Sequence, residues 1–149
     1  GLRMGQRQSI ILGIFGLIPF ILLIIACFIT PPDEAVYELL IFIYVSYAAV
    51  ISSFLGGIQW GLITALAEKI YSVFLPLFIT TVPCLIAWSA LLTLKNLTTS
   101  LILIIVSFLV SSLHDYYLYQ KKLTPHWFLN LRIPLSLVVI VLTCILFFF

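Results

Sequence analysis

The sequence predicts an all-α integral membrane protein, a bundle of five transmembrane helices in a single domain. Two observations carry this. Of its 149 residues, 64% are hydrophobic and only 8% are charged, whereas a soluble domain has about a quarter of its residues charged. The apolar residues also fall into five long runs separated by charged or proline-containing breaks, and about 20 apolar residues cross a bilayer as a helix. The net charge of +2 is too small to argue for nucleic acid, and Lys121-Lys122 is the largest basic cluster. The lipid bilayer is the expected surrounding.

Residues 1–8 are a short polar tail with Arg3 and Arg7, and the first span covers residues 9–30. Its apolar run is longer than the core of a signal peptide, and no small-residue cleavage site follows. Met4 to Ser9 fits a myristoylation pattern only if Met4 opens the chain, and a multi-span protein has no need of that anchor. Pro19 should kink this helix. Pro31, Pro32, Asp33 and Glu34 then form an acidic loop.

The second span, residues 37–67, is too long for one perpendicular crossing of a core about 30 Å thick. It must tilt, extend beyond the bilayer, or break at Gly56-Gly57. The third, 70–94, contains Pro76 and Pro83 and should bend. Asn96-Leu97-Thr98 matches a glycosylation sequon but lies too close to the bilayer to be read as one. The fourth span covers 97–118 and the fifth 127–149, with Arg132 and Pro134 near the start of the latter.

Five spans put Arg3, Arg7, Lys69, Lys121, Lys122 and Arg132 on or near one side, against Lys95 alone on the other. The positive-inside rule therefore places the N-terminus inside, in a cytoplasm or a mitochondrial matrix, and the C-terminus outside. Cys27, Cys84 and Cys144 lie in apolar runs without metal or redox spacing, so they read as small hydrophobes.

Within the second span, small residues recur every fourth position at Ala49, Ser53, Gly57, Gly61 and Ala65. On a helix they form one groove almost free of side chains, which another helix can approach closely. Span one or span three is the expected occupant within the chain, and a foreign helix the alternative. A polar cluster is expected where Gln59, Trp60, His114, Asp115, Trp127 and Arg132 converge at the inner rim. Spans four and five, joined by a short loop, are antiparallel neighbours, so Asp115 and Arg132 reach similar depth and should pair. Two readings of that cluster stand: a clamp on the bundle's rim, or a vestibule in which His114 or Asp115 handles protons or ions.

The run from Ser53 to Gly61, Ser-Phe-Leu-Gly-Gly-Ile-Gln-Trp-Gly, resembles the signature of the transmembrane protein 69-like family of small multi-span membrane proteins. Leu12-Gly13, Gly16 to Phe20, Pro83, Asp115, and Trp127 with Leu131-Arg132 support the resemblance across nearly the whole chain. That family commonly carries a basic residue where Gln59 stands here. The resemblance implies a mitochondrial or bacterial inner-membrane protein and brings no established activity.

No nucleophile–base arrangement, phosphate loop or metal-ligand spacing is present in the sequence. The expectation is therefore no enzyme, no metal and no cofactor. The chain reads instead as an interaction protein, an accessory subunit or assembly factor of a larger membrane complex such as a respiratory complex. The alternative is a small proton- or ion-linked transporter using His114, Asp115 and Arg132.

Overall fold

Apolar side chains without interruption favour helix in a membrane, because only a helix satisfies every backbone N–H and C=O within one segment. A computed structural model describes residues 2–69 and 72–148. It contains α1 (Leu2–Ile29), α2 (Ala35–Ala65), α3 (Phe74–Thr80), α4 (Val82–Leu92), α5 (Leu97–Gln120) and α6 (His126–Ile145). Taking α3 and α4 as one broken crossing, five helical segments among the described residues are long and apolar enough to span a membrane. The expected start of span three at Ile70 and end of span five at Phe149 lie outside the described residues.

The tail expected before span one is helical from Leu2, since Arg and Gln extend a helix at little cost. Pro19 stays inside α1. The long second run neither breaks nor shortens: α2 is continuous over 31 residues, about 46 Å at 1.5 Å per residue. Span three does break. Thr80 ends α3, and Pro83 opens α4 in the first turn, where its missing N–H costs nothing. Asn96 caps α5, its side chain accepting from the Thr99 amide at 3.2 Å, so the sequon asparagine serves as a helix cap.

Around the bundle, α1 packs on α2, α2 on α4, α4 on α5, α5 on α6 and α6 back on α1, with α2 also touching α5. This closes a ring braced across its middle. Phe20, Ile41, Tyr44, Ala48, Ile104 and Phe108 fill its centre, while Leu12, Phe28, Phe74 and Leu113 lie outward as a lipid-facing surface must.

Hydroxyl pairs stitch the helices inside this core. Ser107 gives its one hydrogen to the Pro83 carbonyl at 2.7 Å, so Ser52, 2.8 Å away, must donate to Ser107. Thr143 likewise bonds Val139's carbonyl, which makes Tyr44 the donor in their 2.8 Å contact. Tyr47 donates to the Gly16 carbonyl and Ser100 to that of Ala90, both at 2.8 Å.

Close packing against backbone requires glycine at Gly56. A Cβ built there would lie 2.6 Å from the Thr80 carbonyl oxygen, where α2 crosses the α3–α4 break, whereas one at Gly57 meets nothing within 4 Å. Gly56→Ala should therefore cost about 1–3 kcal/mol through forced backbone movement, while Gly57→Ala changes stability by less than about 0.5 kcal/mol. Thermal unfolding in detergent measures the difference, and equal effects at the two sites would contradict this packing.

Candidate functional site

Three helices end on the same side of the bundle, and each carries one polar side chain about one and a half turns in from that end. Asp115 lies five residues before the end of α5, Arg132 six after the start of α6, and Gln59 six before the end of α2. At 1.5 Å per residue these depths are about 8–9 Å, so the three side chains meet at one level.

The α5–α6 turn fixes that register. Leu123 N–H bonds the Leu118 carbonyl at 3.0 Å and Lys122 N–H that of Tyr119 at 2.9 Å, the pattern of a Schellman cap. Lys122 occupies the left-handed position with φ 61°, a place where glycine is commoner. Leu123 then folds back on Leu118 and Ile63 in a small apolar cluster. Pro125 follows and starts α6, its carbonyl accepting from Phe128 and Leu129.

At the centre of the site, Arg132 Nη2 donates to Asp115 Oδ2 at 2.6 Å. Gln59 Nε2 donates to Asp115 Oδ1 at 2.9 Å and to the Ser111 carbonyl at 3.1 Å. Arg132 Nη1 reaches Ser136 Oγ at 3.3 Å. Relative exposures of 1% for Gln59, 2% for Asp115 and 6% for Arg132 put all three almost wholly inside the bundle. A charge so placed is tolerated only when paired and hydrogen-bonded. Both carboxylate oxygens are taken here, by donors from two different helices.

Of the expected rim cluster, the structure brings together Gln59, Asp115 and Arg132. It does not bring the rest to them. Trp60 is 46% exposed on the outside of α2. His114 is buried against α3, its Nε2 2.9 Å from the Pro76 carbonyl, and stacks on Tyr117. A carbonyl only accepts, so Nε2 carries the proton of that contact. Trp127 packs edge-on against Phe128. Ser111 and Ser136 belong to the site and were not among the expected residues. For Ser136 the signal was present, four residues after Arg132 on the same face of α6, whereas Ser111 enters through its main-chain carbonyl, which no side-chain pattern announces.

For the small-residue stripe, the correction concerns the two occupants expected from within the chain. Ser53, Gly57, Gly61 and Ala65 are exposed and Ala49 is only half-buried, so neither span one nor span three fills that groove. Helix geometry gives the reason. Gln59 lies two residues from both Gly57 and Gly61, about 200° around the axis. Turning Gln59 inward to Asp115 turns both glycines outward. The face that packs instead carries Ala48, Ser52, Leu55, Gly56, Gln59 and Ile63.

Beside Arg132 and Ser136, an apolar cavity of about 350 Å³ opens between α1, α2 and α6. Among the described residues no group of three or more His, Cys, Asp or Glu could hold a metal ion. The arrangement can clamp three helices together and can offer guanidinium N–H groups to something in the cavity.

Five apolar crossings around a buried ion pair define a polytopic helical membrane protein. The chain belongs to the family described as "Protein of unknown function (DUF3429)", which matches residues 5–148. It is similar to "Transmembrane protein 69" of Xenopus tropicalis, 32% identical over 139 residues, 93% of this chain and 53% of the relative. The protein of the same name in Mus musculus is 26% identical over 134 residues, 90% of this chain and 53% of the relative. The chain thus spans about half the length of these curated relatives. No solved structure matches it.

Gln59→Leu removes the donor to Asp115 Oδ1 and to the Ser111 carbonyl, and should cost about 1–3 kcal/mol of stability. Trp60→Leu, one residue along but outward, should change it by less than about 0.5 kcal/mol. Melting of both variants in the same detergent checks the pair; equal losses would contradict the inward orientation of Gln59.

Proposed function

We propose that this chain is an interaction protein of a mitochondrial or bacterial inner membrane, an accessory subunit or assembly factor docked in a larger complex such as a respiratory complex. The observation that carries the proposal is the outward groove of α2. A Cβ at Gly57 or Gly61 would meet nothing within 4 Å, and Ser53 and Ala65 continue the same bare strip. Lipid tails fill a groove without side chains poorly, whereas a second helix gains dispersion contacts along its whole length. Phe54 and Trp60, 64% and 46% exposed, offer large apolar side chains on the same helix.

A proton- or ion-linked carrier working through His114, Asp115 and Arg132 has less support. Both Asp115 oxygens are bonded by neighbouring helices, and His114 is tied to Pro76 away from the pair. A carrier needs ionisable groups free to exchange partners near the midplane.

Gly57→Ile and Gly61→Ile should leave insertion and melting temperature unchanged while abolishing co-purification of partners seen with the unaltered chain in mild detergent. Variants that keep every partner would contradict the proposal.

The orientation we propose puts both termini's sides as the Lys/Arg bias requires: Arg7, Lys121 and Lys122 inside, Lys95 outside. With Cys27, Cys84 and Cys144 replaced by alanine, Asp33→Cys should label with an impermeant thiol reagent only from outside. Lys121→Cys should label only from inside. Labelling of both from one side would refute the arrangement.

A further inference from the structure

The cavity beside Arg132 has a shape, a length and a charge state that together select an occupant. Its lining runs from Ser9 to Phe20 on α1 and from Phe128 to Val139 on α6. Each stretch rises about 16 Å along its helix. That is about half of a hydrocarbon core some 30 Å thick, so the slot runs parallel to the helices through roughly one leaflet. Its volume, about 350 Å³, falls within the usual range for small-molecule sites. The space exists partly because Gly16 has no side chain: a Cβ there would meet nothing within 4 Å.

The polar groups lie toward the end of the bundle that carries Asp115. Ser9, Arg132 and Ser136 line the slot among Leu, Ile, Phe and Val side chains. Arg132, 6% exposed, commits one N–H to Asp115 and one to Ser136, which leaves donors unused among the five of a guanidinium. Its charge, however, is already balanced by Asp115 at 2.6 Å. A second anion would leave a net buried negative charge, which is costly in this setting. An uncharged carbonyl oxygen accepts the spare N–H without that penalty.

We infer that the cavity binds one chain of a glycerolipid from the leaflet at the Arg132 end, with an ester carbonyl oxygen hydrogen-bonded to Arg132. The acyl chain lies between α1, α2 and α6, along Gly16 and Phe20, and ends near the middle of the bilayer. The headgroup stays outside the slot. Ordinary boundary lipid exchanges freely; this one is retained because a buried donor faces its carbonyl.

Native mass spectrometry of detergent-washed protein titrated with dioleoylphosphatidylethanolamine tests this. One lipid per chain should persist after washing. Gly16→Leu, which fills the slot, should lower retention at least about tenfold at an unchanged melting temperature. If Gly16→Leu does not fold, Leu12→Trp at the exposed edge of the lining replaces it, with the same expectation. Leu92→Trp, on the outside of α4 and away from the cavity, should retain the lipid. A diether analogue of the same lipid, lacking both carbonyls, should bind about tenfold more weakly. Full retention by both cavity variants overturns the site. Equal binding of the diether overturns the carbonyl contact. Preferential binding of oleate or of a prenylquinone over the glycerolipid overturns the assignment of the occupant.

Discussion

The contact on which the rest of the structure depends is the ion pair between Asp115 and Arg132, 2.6 Å long and almost wholly buried. Neither charge survives at that depth alone. The pair fixes how α5 and α6 lie against each other, and Gln59 extends it to α2 by taking the second carboxylate oxygen. Once Gln59 faces inward, the rotation of α2 is set along its length. Gly56 then faces the α3–α4 break, Ser52 faces Ser107, and Gly57 and Gly61 face out. One polar contact thereby decides which surface of a nearly all-apolar helix is core and which meets the surroundings.

This dependence explains what was legible in the sequence. The five crossings were readable because length and apolarity are properties of a run and need no knowledge of its neighbours. Asp115 and Arg132 were readable as a pair because a short loop forces antiparallel helices, and counting residues from the loop gives depth. The rotation of α2 was harder to read. In a membrane the lipid-facing side is as apolar as the core, so hydrophobic periodicity does not separate them. Small residues at 49, 53, 57, 61 and 65 then look like a face packed within the chain, although Gly57 and Gly61 lie opposite Gln59. Placing Gln59 first and counting 100° per residue would have resolved the conflict. Ser136 was obscured for a different reason, since serines in membrane helices usually bond their own backbone, and Ser111 because it contributes a main-chain carbonyl that any residue would supply.

The interior is also more polar than a hydropathy profile suggests. Ser52 with Ser107, Tyr44 with Thr143, and Ser100 with the Ala90 carbonyl tie α2, α4, α5 and α6 at several levels. Lipid tails are as apolar as leucine, so burial gives little drive to bring these helices together. Interhelical hydrogen bonds and close backbone approach take that role. The α3–α4 break fits the same logic. It places the Thr80 carbonyl against Gly56 and the Pro83 carbonyl within reach of Ser107, so irregular backbone is buried in protein rather than set against lipid.

The most direct test of the ion pair's role is a double-mutant cycle on Asp115→Asn and Arg132→Gln, read as unfolding free energy in one detergent. Removing one partner leaves the other charge buried and unpaired, and should cost about 3–5 kcal/mol. Removing both leaves two neutral side chains able to bond each other and Gln59, so the double variant should be no less stable than either single one. Costs that simply add, each within about 1 kcal/mol of wild type, would contradict the account: the pair would then be an incidental contact, and the orientation of α2 would need another cause.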